Sequence, residues 1–397
     1  MLGGRGRDIN LRMLEDGWVF DHEDVCALTL SNVIGPVPST TTSFAQHGLS
    51  GASIVFADRN SYGLTGIADE VAPTFVAINL NGGMASAMAL TMSNSQPHDV
   101  CLVVIIVLVP SLGPGTWLPF EFYQSSFDAT LTMTALGMHV VVPAGNGNRS
   151  LDDPALLGRF DRNFRDSGAV MVGASEAGLL QRAPFSNWGV RVDAHSWGDQ
   201  VISCGYGTMF FPNNDPLQAY TAAGTGTSSS TPHVAAVIAS MQGAAKIQTG
   251  QYLTNTEVLN LLHTVGASTP DVIGLRPDLP AIFEQIGAID GLTMAEPDVP
   301  LGGTITATME GQPGSVMAMF GSFTTGNVPL GYNRNLHLDL ASMSALGAYV
   351  LASSTAQYNL PVPNNLALQG VDIFFQAVRL TGSQPLFVTN SCLVTIL

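Results

Sequence analysis

The sequence predicts an α/β domain built on a parallel sheet with helices on both faces, followed by an all-β sandwich. Three observations carry this. Up to about residue 290, short β-branched runs alternate with longer segments whose small and apolar residues recur at helical spacing. Strand–helix alternation implies parallel pairing with helices on either side. The longest apolar run, 100–109, is rich in Val and Ile and lies between Asp99 and Pro110. It is too short for a membrane span, which needs about 20 residues, and reads as a strand buried on both faces. From Gly302 onward the texture changes to short strands separated by turn residues, the pattern of a sandwich.

Taken in order, strands are predicted at 9–14, 76–80, 100–109, 139–143, 170–173 and 190–194, where β-branched and other apolar residues cluster. Helices are predicted at 49–59, 122–136, 232–247 and 255–263, with a last helical stretch at 278–286. In sheets of this kind, function sits at the carboxyl ends of the strands. The later strands are predicted at 303–309, 315–320, 336–339, 349–353, 356–360, 372–379 and 385–389. Gly311-Gln-Pro-Gly314 and Pro361-Val-Pro-Asn-Asn365 punctuate them. The expected organisation is an α/β domain over 1–290, a linker over 291–301 and a sandwich over 302–397.

Composition excludes several classes. Of 397 residues, 46% are hydrophobic and 11% charged, which a disordered chain cannot match. Fourteen basic against 30 acidic residues leave a formal charge of −16, and Lys246 is the only lysine. Neutralising nucleic-acid phosphates or an anionic membrane needs a basic face that this chain lacks. Met1-Leu-Gly-Gly-Arg-Gly-Arg7 has no apolar core, so no secretory signal opens this sequence. Acidity, scarce lysine and 42 glycines nevertheless suit a secreted protein. Cys26, Cys101, Cys204 and Cys392 form no metal-binding pattern. Cys101, inside the apolar strand, is expected as a buried thiol; a disulfide between two of the others stays open.

Four local patterns carry chemistry. Gly224-Thr-Gly-Thr-Ser228-Ser-Ser-Thr-Pro-His233 sets a Gly-flanked serine before a helix expected to start near Pro232, since proline suits a first helical turn. Backbone N–H groups there can stabilise an oxyanion; plain helix capping is the competing account. Gln46-His47-Gly48-Leu-Ser-Gly51-Ala52 puts a histidine at the opening of a helix whose small residues permit close approach to the sheet. A lone histidine is more often structural. His139-Val-Val-Val-Pro-Ala144-Gly145-Asn146 sets an amide donor at a strand end, where a simple Asn-Gly turn is the alternative. The segment 9–25 ends its strand in Glu15-Asp16-Gly17, and a carboxylate there can orient a histidine. Asp21, Glu23 and Asp24 read as a solvated acidic turn.

Together, in the order acid, His, amide donor, Ser, these motifs resemble the subtilisin-like serine proteases, the subtilases of peptidase family S8. Gly226-Thr-Ser228-Ser-Ser-Thr-Pro is similar to that family's Gly-Thr-Ser-x-[Ala/Ser]-[Thr/Ser]-Pro nucleophile motif. His47-Gly48 resembles its histidine motif, although Leu49 and Ser50 replace the usual Thr and His. Ala144-Gly145-Asn146 resembles its oxyanion-hole motif. Ser111-Leu-Gly-Pro114 resembles the Ser-Leu-Gly-Gly after the substrate strand, and Phe185-Ser-Asn-Trp-Gly189 a turn late in the fold. The likeness covers about residues 9–287.

The resemblance implies a subtilisin-like three-layer fold and a serine endopeptidase. Ser228 is then the nucleophile, His47 its base, and Asn146 with the Ser228 backbone N–H the oxyanion hole. Counting back from His22-Glu-Asp24-Val25, which resembles His-Pro-Asp-Leu, puts Glu15 where the family carries Asp. Asp16 is the rival, but neighbouring side chains on a strand point to opposite faces. The resemblance implies that the peptide adds a strand beside Val109–Gly113 and that Ser111, Leu112 and Gly113, with Pro143, Ala144 and Gly145, line the main specificity pocket. No cofactor is required; structural Ca²⁺ would draw on Asn213-Asn-Asp215 or residues 21–24. The partner is a protein or peptide substrate, and the accessory sandwich is expected to bind a surface, protein or glycan. Two other readings stay open: a catalytically silent binding protein, and an esterase using the same site.

Overall fold

The computed structural model describes residues 3–38, 40, 43–286, 291–311, 314–331, 334–352, 355–380, 387–389 and 391–397. Six parallel strands form the central sheet: β1 (Asn10–Glu15), β2 (Ala72–Ala77), β3 (Val100–Val103), β4 (His139–Pro143), β5 (Val170–Ser175) and β6 (Ala194–Trp197), in the order β2-β1-β3-β4-β5-β6. The order turns back on itself at β1. The carboxyl ends of β1 and β3 therefore flank a crevice, the usual place for a ligand in an open α/β sheet.

Helices cover both faces because successive strand residues alternate. Leu14 packs with Ala87 and Met88 of α2 (Met84–Met92) and Met133 of α3 (Gln124–Ala135). Its neighbour Met13 points the other way, against Gly51 of α1 (Ser43–Phe56), and Pro232 of α4 (Thr227–Thr249) lies near the same glycine. The strands are nearly continuous apolar runs with no exposed face: all four residues of β3 and all five of β4 are buried. Burying each Val, Leu or Met side chain contributes about 1.5–3 kcal/mol.

Several expected elements shift. The strand expected at 76–80 runs over 72–77 and then turns through a 3₁₀ segment, Asn79–Asn81. The strand expected at 190–194 is Ala194–Trp197. The apolar run 100–109 is not one strand. After β3 the chain leaves the sheet, and Ile106–Leu108 pairs antiparallel with Trp117–Pro119. α2 has no counterpart among the expected elements. α1 starts at Ser43 and α4 at Thr227, each earlier than expected, so Pro232 sits inside α4. Helices at Asn255–Thr264 (α5) and Leu279–Gln285 (α6) complete the set; α5 opens with a capping box between Thr254 and Glu257. None of the four cysteines, all among the described residues, is in a disulfide, and Cys101 is buried.

The chain divides into two compact units, Gly3–Gly243 with Tyr252–Ile282, and Phe283–Leu397 with Ala244–Gln251. Residues 287–290, at the expected boundary, lie outside the described residues. The stretch 291–301 is not a bare linker: β7 (Gly291–Met294) and the short strand Asp298–Val299 both join sheets. β7 pairs with β8 (Thr304–Glu310), which pairs with β11 (Thr355–Pro361). β9 (Val316–Ser322), β10 (Ser344–Val350), β12 (Asp372–Leu380) and β13 (Cys392–Ile396) form a second antiparallel set. Ile305, Ala307 and Met309 from the first set share one apolar core with Met317, Phe375 and Val394 from the second. Of the strand expected at 385–389, Phe387–Val388 is found, while 385 and 386 lie outside the described residues.

Candidate active site

Glu15 is the last residue of β1 and fully buried. Its Oε2 lies 2.6 Å from Nδ1 of His47, and its Oε1 accepts the Asp16 N–H at 2.7 Å. Asp16 turns elsewhere: its Oδ1 accepts the Asn79 N–H at 3.0 Å, closing the turn after β2. Burial pushes the Asp16 carboxyl upward, against that hydrogen bond.

His47 is in the first turns of α1, half-buried. Nδ1–H donates to Glu15, so Nε2 is bare and available as an acceptor. Burial disfavours a charged ring, but the charge and hydrogen bond of Glu15, with the Asp16 charge added, raise His47 above the ordinary imidazole value. Helix α1 can lie this close only because residue 48 is glycine: a Cβ there would collide with the Gly17 carbonyl and press on the Trp18 ring. Ser50, where the resemblance expects a second histidine, is buried and bonded to Ser203 Oγ at 2.7 Å.

The three serines of α4 part ways. Ser229 Oγ donates to the Thr225 carbonyl at 3.2 Å. Ser230 Oγ donates to the Gly173 carbonyl at 2.6 Å and accepts the Ser196 N–H at 2.9 Å, tying the helix to the sheet. Ser228 Oγ has no hydrogen bond among the described residues and lines the same cleft as His47. No bond joins Ser228 to His47 here; such contacts are often long in free enzymes and tighten with substrate. Pro232 lacks the N–H that would bond to the Ser228 carbonyl, and the Ser228 N–H lies in the helix's first turn, where donors lack intrahelical acceptors.

Thr227, to which the sequence reading gave no role, organises the amide donor. Its N–H and Oγ1 both donate to Asn146 Oδ1, at 2.9 and 2.8 Å, and Oγ1 accepts the Gly145 N–H at 3.2 Å. With Oδ1 so engaged, Asn146 turns Nδ2 outward. Gly226, at φ +110°, keeps the space beside both groups open: a Cβ there would lie 3.1 Å from Ser228 Oγ and 3.2 Å from Asn146 Nδ2. Gly226→Ala is therefore expected to lower turnover by about 10²–10³, the scale of one lost oxyanion donor. Steady-state kinetics beside a melting curve check this; unchanged turnover in a folded variant would show that the space is not used.

The cleft has a volume of about 450 Å³. Its walls differ from the expected substrate segment. Val109 is buried, Ser111 and Leu112 form a 3₁₀ turn beyond the hairpin, and Gly113 follows it; none lines the cleft. Ala144 and Gly145 are buried and do not line it either. Val104, Ile105 and Ile106 take that place, because the chain leaves the sheet after Val103, eight residues before the Ser111 that opens the Ser-Leu-Gly match. Phe44, Trp117 and Tyr206 supply an aromatic rim. They come from a helix start, a strand and a loop far apart in sequence, so no local pattern could have grouped them.

In the two stretches from which structural calcium was expected to draw oxygens, Asp24 and Asp215 make hydrogen bonds within the protein. Asp24 uses Oδ1 for Asn60 Nδ2 and Oδ2 for the Leu64 N–H, at 2.7 and 2.8 Å. Asp215 Oδ1 accepts the Leu217 N–H at 2.9 Å. Among the described residues no group of three or more His, Cys, Asp or Glu is placed to hold a metal ion.

Comparison with known proteins agrees with this frame. Subtilisin-like protease 3 of Trichophyton equinum is 29% identical over 148 residues, covering 37% of this chain and 30% of its own. That of Arthroderma benhamiae is 32% identical over 130 residues, covering 32% and 28%. The chain thus matches about three tenths of the length of these relatives. Among solved structures, a lanthipeptide protease superposes with a TM-score of 0.54 at 17% identity, over 71% of this chain and 89% of its own. The Aeromonas sobria serine protease, solved with its chaperone, gives 0.54 at 14% identity, over 99% and 87%. At such identities the likeness is one of fold. The model of the subtilase family (peptidase S8) matches residues 31–271, a span that holds His47, Asn146 and Ser228 and begins after Glu15. With well over half its length matched to that model, the chain belongs to the subtilase family.

Proposed function

We propose that the protein is a serine endopeptidase with a Ser-His-Glu triad. The observation that carries this is the convergence, on one cleft, of an unengaged Ser228 hydroxyl, His47 held through Nδ1 by Glu15, and Asn146 with its amide turned outward. Ser228 Oγ attacks the scissile carbonyl while His47 Nε2 takes its proton and later gives it to the leaving amine. Glu15 holds the tautomer and stabilises the imidazolium. Asn146 Nδ2 and the Ser228 N–H hold the oxyanion. The apolar walls Val104, Ile105 and Ile106 and the aromatic rim favour apolar or aromatic substrate side chains. The acyl chemistry serves esters as well; comparing a peptide and an ester of one acyl group measures that share. We place the protein among secreted peptidases; among the described residues no helix is long and apolar enough to cross a membrane.

Labelling by a fluorophosphonate tests the reading, since only an activated serine reacts fast. Rapid labelling that is lost in Ser228→Ala is expected; labelling no faster than that of free serine would mark a silent, binding member of the fold.

The pH profile has a definite sign. His47 must be neutral to accept the serine proton, so activity rises with pH through its pKa. Burial pulls that value down but Glu15 holds it above the usual range. The acid limb of kcat/KM should therefore lie above about pH 6.5. Replacing Glu15 with glutamine should move the limb to lower pH. A limb that stays put would mean Glu15 does not act on the ring.

A further inference from the structure

Outside the catalytic cleft lies a pocket of about 620 Å³. Four of its walls are apolar or aromatic side chains more than half exposed: Tyr62 (53%), Ile202 (56%), Met209 (55%) and Phe210 (51%). Apolar side chains left exposed around one concavity mark a binding site more often than scattered surface residues do. The pocket holds a single charged group, Glu23. Gln218 Nε2 donates to Oε2 at 2.5 Å and the Tyr220 hydroxyl to Oε1 at 3.0 Å. Both donors are neutral, and among the described residues no Arg, Lys or His pairs with this carboxylate. The site is also built rather than incidental: the Tyr62 hydroxyl donates to the Glu23 carbonyl at 2.8 Å, and Tyr220 is buried.

We propose that this pocket takes an arginine side chain of a bound polypeptide. The aliphatic stem would lie against Ile202 and Met209, and the guanidinium would stack on Tyr62 or Phe210 while pairing with Glu23. A planar, weakly hydrated cation is the group that combines both contacts. The net charge of −16 draws such a cation to the surface. The loop joining Val201–Cys204 to Tyr220–Gly224 supplies Tyr206 to the catalytic cleft and Met209 and Phe210 to this pocket. One polypeptide can therefore engage both, which makes the pocket an outlying subsite; that role, though not the binding itself, rests on the peptidase reading.

The test is calorimetric titration of the full chain carrying Ser228→Ala with acetyl-Ala-Arg-Ala-amide and with its citrulline analogue, which keeps the shape and loses the charge. The arginine peptide should bind about tenfold tighter, the scale of one charge-assisted hydrogen bond. Adding Glu23→Gln should bring the two peptides within twofold. Adding Phe210→Ala, at an exposed position that leaves folding intact, should weaken the arginine peptide. Equal binding of the two peptides before Glu23 is changed, or a preference that survives Glu23→Gln, overturns the proposal. In the chain with Ser228 intact, Glu23→Gln should leave fluorophosphonate labelling unchanged. If labelling fails while the arginine preference stands, the peptidase reading falls and the pocket remains.

Discussion

Ser228→Ala is expected to lower turnover by a factor on the order of 10⁶, to the residue left by the oxyanion hole and binding alone. The fold should survive, because Ser228 Oγ makes no hydrogen bond among the described residues that alanine would remove. The neighbouring serines predict the opposite pattern. Ser230→Ala strips the Ser196 N–H and the Gly173 carbonyl of a buried partner, so it should cost about 1–3 kcal/mol of stability and little turnover per folded molecule. Ser229→Ala loses one longer bond to the Thr225 carbonyl and should be milder still. Initial rates on a short peptide, normalised to folded protein by a melting curve, distinguish the three. A dead Ser229→Ala with an active Ser228→Ala would move the nucleophile by one residue.

Glu15→Gln is expected to cost up to about 10⁴ in turnover. The amide nearly preserves shape, yet it can present an N–H to Nδ1 and so favour the tautomer with the proton on the wrong nitrogen. It also removes the charge that raises the ring's pKa. Glu15→Asp shortens the acid by one methylene in a fully buried site where Oε2 now stands 2.6 Å from Nδ1. It should be impaired less than the glutamine variant but clearly below the parent. Asp16→Asn keeps an oxygen for the Asn79 N–H and should change turnover little. Kinetic constants for the three, with the pH profile of each active one, decide the matter. Equal small effects from Glu15→Gln and Asp16→Asn would remove both from the triad.

Local sequence was enough for features that depend on neighbouring residues. The alternation of strands and helices, the Gly-flanked serine, the small residues of α1 and the amide after a Gly turn were all legible. So was the side of Glu15, because a strand's alternation sends residues 15 and 16 to opposite sides. The change of texture near residue 302 was visible too, but not the strand Gly291–Met294, a four-residue run whose pairing partner β8 begins ten residues after it ends.

The rest was decided in three dimensions. The run 100–109 is uniformly apolar, so nothing local marks Val103 as the last residue of the sheet; pairing of Ile106–Leu108 with Trp117–Pro119 sets that break and moves the cleft wall to Val104–Ile106. The role of Thr227 depends on Asn146, 81 residues away. Which of three adjacent serines is left unengaged depends on what surrounds them: Ser230 meets backbone groups of β5 and β6, and Ser228 meets the cleft. Composition and periodicity therefore determined that this chain is an α/β domain with a β-rich extension and which residue types stand at its strand ends. Long-range pairing alone selected, among chemically equivalent side chains, those left without partners and facing a common space, because hydrogen bonds are satisfied by groups that the sequence order keeps far apart.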